Sequence, residues 1–157
     1  MKRFSLSLIA AVALFISLAN GQGNKGPRFT EEKLKQIEQN LVRSLESDIR
    51  GVRLTAAKTV WDLKTRVPQY EFGHRTTVAL MRIVKDEAAD NQSRIVAAIA
   101  LSRLDSELGN YAIKMQAQFA QSERVKHICN WLTYNRAEEQ RLARATTSAA
   151  SKTIATK

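Results

Sequence analysis

Cysteine, proline, glycine, histidine and aromatic residues are all scarce in this chain, and each shortage closes off a class of protein. One Cys among 157 residues excludes an intrachain disulfide framework and a cysteine-rich zinc module. Two Pro and six Gly exclude collagen-like and Pro/Gly-rich disordered chains. Two His, His74 and His127, lie far apart and leave little material for a metal site, so no cofactor is expected. Aromatics make up only 6% of the chain, yet 44% hydrophobic residues is too apolar for a wholly disordered one. The length suits one domain of ordinary size. Alternation of period two is missing as well, so the expected fold class is all-α, without strands.

The one long apolar run stands at the N-terminus. Lys2 and Arg3 precede an uncharged, almost wholly apolar stretch, Phe4 to Leu18. Ala19 and Gly21 then supply small residues at the −3 and −1 positions of a cut before Gln22; a cut before Asn20 is the close rival. Residues 1–21 therefore read as a secretory signal peptide, and the mature protein is expected to be exported (periplasmic or extracellular) and soluble. The alternative, an uncleaved anchor, is disfavoured by length: the run spans about 22 Å as a helix, against a hydrocarbon core of ~30 Å. Residues 22–29 read as a flexible segment. The formal charge is +10, and it is spread along the chain. Excesses of two, four and two positive charges fall in residues 22–45, 46–136 and 137–157. Nucleic-acid binding usually wants a clustered footprint, so nucleic acid is an unlikely partner on this pattern.

An internal repeat governs the rest. Gly51–Lys64, GVRLTAAKTVWDLK, matches Gln92–Asp105, QSRIVAAIALSRLD, without a gap at an offset of 41 residues. Arg53 meets Arg94, Ala56-Ala57 meets Ala97-Ala98, Val60 meets Leu101 and Leu63 meets Leu104. A shorter echo begins at Arg124, with Val125, Ile128, Trp131 and Tyr134 in the places of Ile95, Ala98, Leu101 and Leu104. Each copy reads as the second helix of a pair. The first helix runs from about Thr30 to Glu46 with Leu34, Ile37, Leu41 and Leu45 on one stripe. Asp48 is the expected cap of the second, whose stripe is Val52, Ala56, Val60 and Leu63. Pro68 and Gly73 bracket a connection. The third helix runs from about His74 to Ala88 with Val78, Met81 and Val84 inward, and Asp90 or Asn91 caps the fourth. The fifth starts near Gly109 with Ile113 and Phe119 inward, and Ser122 caps the sixth. The pattern predicts a short α-solenoid of about three antiparallel helix pairs over residues 30–136. Residues 137–157, rich in Ala, Thr, Ser and Lys, read as a flexible tail whose first part extends the last helix through Arg144.

On the segments Asp48–Ala57 and Asp90–Ala98 the chain resembles the HEAT-repeat family, with an acidic turn, an Arg entering the second helix, then small residues and Leu. The resemblance implies a helical scaffold with a binding surface rather than a reaction. It also implies that Asp48 with Arg53, and Asp90 with Arg94, form a structural ladder between units. The third unit lacks the turn Asp. Its His127, Trp131 and Tyr134 are expected to cap the C-terminal end of the stack.

No motif for nucleophilic, metal or phosphate chemistry is present, so the chain is not expected to be an enzyme. His127 and Cys129, two apart on a helix, point about 200° apart and cannot face each other. Cys129 reads as a buried free thiol, with an intermolecular disulfide as the alternative. His74, Asp86, Glu87 and Asp90 read as helix-terminus and turn residues. The candidate interface is Trp61, Tyr70 and Phe72 with Lys58 and Arg103. For the two loop rings the competing reading is that they fold back over the first two units. The expected function is thus an exported, non-catalytic module that binds a partner protein. A binder of anionic polymer (nucleic acid or an anionic envelope surface) is the alternative, and an enzyme with a non-obvious site is the third reading.

Overall fold

A computed structural model describes residues 29–155, so the proposed signal peptide, nearly all of the segment 22–29 and the last two residues lie outside the described residues. The described residues form six helices and no strand: α1 (Glu31–Leu45), α2 (Arg50–Arg66), α3 (His74–Lys85), α4 (Asn91–Arg103), α5 (Glu107–Phe119) and α6 (Glu123–Ala155). No described helix is long and apolar enough to cross a membrane. The chain from Glu32 onward forms one unit. Within it α2 packs on α4 and α4 on α6, while α3 packs on α5. The pairs α3–α4 and α5–α6 join these two rows.

The central element is α4, which touches α2, α3, α5 and α6. A helix with neighbours on all sides cannot keep a polar face, and small residues let those neighbours approach. Ala97, Ala98, Ala100 and Leu101 are accordingly all fully buried. Gly109 at the start of α5 serves the same close approach. A Cβ there would sit 2.7 Å from Ser106 Oγ and 2.9 Å from Leu101 Cδ1. Three of the four expected stripe residues of α2 are buried (Ala56, Val60 and Leu63), but Val52 at its first turn is 38% exposed. In α3, Met81 and Val84 are buried, joined by Leu80 and Ile83. The helix itself stops at Lys85, short of Ala88. On α5, Ile113 is buried as its spacing requires, whereas Phe119, the last residue of the helix, is 67% exposed: Ala117 and Ala120 on either side of it take the buried positions.

Caps follow local chemistry. Asp90 accepts from Ser93 N at 3.0 Å and Ser93 Oγ at 2.6 Å, and Ser106 caps α5 through Gly109 N. Ser122 accepts from Val125 N at the start of α6. Asp48, expected to cap α2, does not: the cap position is Ile49, without a side-chain bond, and Ser47 Oγ accepts from Ile49 N instead. Asp105 holds the one positive φ among described non-glycine residues, 55°, in the α4–α5 turn, a conformation that Asp tolerates better than most.

The last helix continues past its packed part. It passes Arg144, where the sequence suggested a helical extension would end, and runs to Ala155. Every side chain from Glu139 to Thr146 is exposed. Strong helix formers in AEEQRLARA and the Arg141–Glu138 pair one turn apart carry this part, rather than a hydrophobic contact.

Candidate functional site

The ladder expected from the resemblance is redistributed. Arg53 Nη1 donates to the Ser47 carbonyl at 2.9 Å rather than to Asp48. Asp90 pairs not with Arg94 but with Arg50 at the start of α2, the neighbouring helix of the same row, at 2.9 Å. Partial burial works to raise the Asp90 pKa, but the two Ser93 bonds and the Arg50 charge outweigh it and hold the carboxyl below its ordinary value. Arg94, only 1% exposed, instead spends its whole fork on other elements. Nε donates to the Val84 carbonyl at 3.1 Å, Nη1 and Nη2 to the Glu87 carboxylate at 2.5 and 2.8 Å, and Nη2 to Gln116 Oε1 at 2.8 Å. It is a buried tie between α3, α4 and α5. Arg enters the helix one turn past the acid in both copies, but the side chain is long enough to choose its partner, and burial favours the carbonyl, carboxylate and amide it can satisfy together.

The two loop rings fold back. Tyr70 is buried at 8% exposure, packs edge-to-face on half-buried Phe72 at 5.1 Å, and donates its O–H to Glu38 Oε2 at 2.6 Å. Glu38 on α1 also accepts from Gly73 N at 2.7 Å and Thr76 Oγ1 at 2.6 Å. Lys64 Nζ holds the same connection through the Pro68 and Tyr70 carbonyls. Tyr70 thus takes the packing reading, and Phe72 packs against it while remaining half-buried. Glu38 was not singled out from the sequence, because its partners are 32 to 38 residues away.

The expected C-terminal cap is corrected as well. His127 is exposed, Trp131 is 55% exposed and Tyr134 65% exposed, so none covers the stack. The deep positions of α6 are Val125 and Cys129, both at 0%. The echo therefore holds at Val125 and fails at Trp131 and Tyr134: the buried stripe follows i, i+4 from Val125 to Cys129, whereas steps of three drift around the helix to its exposed side. Cys129 is a buried free thiol, and its burial pushes the pKa up to about 11, against a smaller opposing effect of the Arg94 charge. We expect a water-soluble maleimide to leave it unmodified in the folded protein and to label it fully in denaturant, as followed by intact mass. Rapid labelling under native conditions would contradict this burial.

The exposed side of α6 that carries Trp131 helps to form a groove. Trp61 of α2, Ile99 and Arg103 of α4, and Trp131, Leu132 and Glu139 of α6 line a depression of about 280 Å³, with Ser102, Asn135 and Arg136 completing it. The chain has only two Trp residues, and both are here. Trp61 follows buried Val60 by one residue, which turns its ring from the core to the seam facing α4. Arg136 pairs with Asp105 in the α4–α5 turn, so its charge is already neutralised. Ser102, Leu132 and Arg136 also line a second depression of about 270 Å³ on the side of Asn110, Tyr111 and Lys114. Of the candidate interface, the structure thus unites Trp61 and Arg103. Lys58 is exposed one turn earlier on α2 and is not a lining residue. Trp131, Asn135 and Glu139 joined the site only through the register of α6. Their i, i+4, i+8 spacing was a legible signal once that register is known.

His74 stands exposed at the first position of α3, and Asp86 accepts from Ala88 N in the following turn. Among the described residues no group of three or more His, Cys, Asp or Glu side chains is placed to hold a metal ion. Chemically the groove offers two indoles, aliphatic surface, guanidinium, carboxylate, amide and hydroxyl groups, a set suited to grasping an amphipathic surface. No protein family matches the chain, and no curated protein and no solved structure matches it either.

Proposed function

We propose that this protein is an exported, non-catalytic, HEAT-like helical module that binds a partner protein in the groove between α2, α4 and α6. The observation that carries the reading is the groove's pair of tryptophans, from the first and last helices of one row, flanking Ile99 and Leu132 with Trp131 more than half exposed. Large rings at the centre of a preformed concavity are the usual anchors of a protein interface. The N-terminal apolar run with its small residues at a cleavage position supports export.

A photo-reactive phenylalanine placed at Ser102 in native cells tests the reading. A discrete adduct to one protein is expected, its yield falling about tenfold in Trp61→Ala or Trp131→Ala at unchanged helicity. The adduct should survive a rise from about 50 to about 200 mM salt, over which a polyanion complex would weaken by orders of magnitude. Adducts to many proteins in equal amount, or none that depends on either tryptophan, would remove the groove from consideration.

A further inference from the structure

The groove is not electrically uniform, and its charges say what its occupant carries. Arg103, in the last turn of α4, is exposed and makes no hydrogen bond or ion pair among the described residues. The other guanidinium, Arg136, is held by Asp105. Glu139, on the α6 side, is exposed and likewise has no partner among the described residues. Trp61 and Trp131 both line the depression, yet their rings make no ring contact with each other, so apolar surface remains open between α2 and α6. A carboxylate entering this groove meets the free Arg103 on α4 and a cation would meet the free Glu139 on α6, and the chain's formal charge of +10 favours the acidic entrant. The apolar atoms next to it fall on Ile99, Leu132 and the indoles.

We infer that the partner presents a peptide segment in which a carboxylate side chain adjoins aliphatic residues, the carboxylate engaging Arg103 and the aliphatic residues the tryptophan-lined floor. This deepens the reading of the groove as a protein-binding site and rests on it. Guanidinium and carboxylate match in planar geometry, and the surrounding rings shed water from the pair, which strengthens it relative to an exposed one. The segment's apolar part supplies affinity and its acid supplies orientation.

The two tryptophans make the test direct. Protein labelled with 5-fluorotryptophan has two fluorine resonances, assigned by Trp61→Phe and Trp131→Phe, and each reports one wall of the groove. The probes are acetyl-Glu-Leu-Leu-Ala-amide and acetyl-Lys-Leu-Leu-Ala-amide, titrated into the millimolar range. The glutamate peptide should shift both resonances, with an affinity about tenfold above that of the lysine peptide. Arg103→Glu should invert this preference and Arg103→Gln abolish it, both at unchanged helicity because the position is exposed. Equal response to the two peptides, an unchanged preference in Arg103→Glu, or no shift of either resonance overturns the inference. If the tryptophan-dependent adduct at Ser102 persists while the peptides fail to discriminate, the groove still binds protein and only the carboxylate is wrong. If both fail, the site falls with it.

Discussion

Replacing Arg94 by alanine should destabilise the protein by about 3–5 kcal/mol, the largest effect expected from any single polar side chain here. The guanidinium is 1% exposed and joins the Val84 carbonyl, Glu87 and Gln116. Its loss leaves a cavity beside α4, an amide and a carbonyl without their donor, and a carboxylate without its cation. Arg94→Lys keeps the charge but not the fork, so it should recover only part of the loss. The measurement is the urea midpoint at unchanged slope. A loss below about 1 kcal/mol would show the tie to be replaceable by water.

The tie also shapes the pH dependence. Hydrogen bonds from Arg94 hold the Glu87 carboxyl below its ordinary value of 4.5; partial desolvation opposes them, and the Arg94 charge and the Gln121 N–H assist. A carboxyl with a lower pKa folded than unfolded binds protons more readily in the unfolded chain. Its contribution is therefore complete above about 4.5 and fades as pH falls through the lower folded value. Wild type should lose stability over that acidic window, and Arg94→Ala should lose less there. Glu87 is about one-third exposed, so water screens this contribution and it stays well below the total cost of the substitution.

Glu38→Ala should cost about 2–3 kcal/mol, because one carboxylate serves three donors that converge from the α2–α3 connection. Tyr70 and Thr76 are buried at 8% and 0% exposure, and their hydroxyls would be left seeking water they cannot easily reach. Gly73 permits the approach: a Cβ there would lie 3.3 Å from Glu38 Oε1. Glu38→Gln keeps the shape and one acceptor oxygen, and should recover about half of the loss. If thermal unfolding of Glu38→Ala matched wild type, α1 would have to be held to the connection by its apolar stripe alone. In that stripe Leu34, Leu41 and Leu45 are buried.

The helical class, the number of helices and most boundaries were legible in the sequence, because a helix between two rows must repeat its apolar positions near every third and fourth residue. Leu34, Leu41 and Leu45, Ala56 and Val60, Met81 and Val84, Ala98 and Leu101 all sit where that period places them. Capping was legible at Asp90 and Ser122, where a short side chain reaches the backbone of its own turn. What periodicity leaves open is rotation. In Val125–Tyr134 a run of Val, Ile, Cys, Trp, Leu and Tyr offers apolar residues on more than one face. The inward places of Val125 and Cys129 were legible, but only the meeting of α6 with α4 and α5 decided that Trp131 and Tyr134 go out.

The same distinction separates the two kinds of site residue. That Arg53 and Arg94 recur at one position of a repeat is a fact of sequence. That Arg94 closes on Glu87 and Gln116 while Arg53 stops at a carbonyl depends on what α5 and α3 bring alongside. Long side chains choose among partners by burial and geometry, and those exist only once the helices have packed. Local period and propensity thus determined the elements of this protein. Packing alone decided that its two tryptophans, 70 residues apart, share one groove beside Arg103, which has no partner among the described residues.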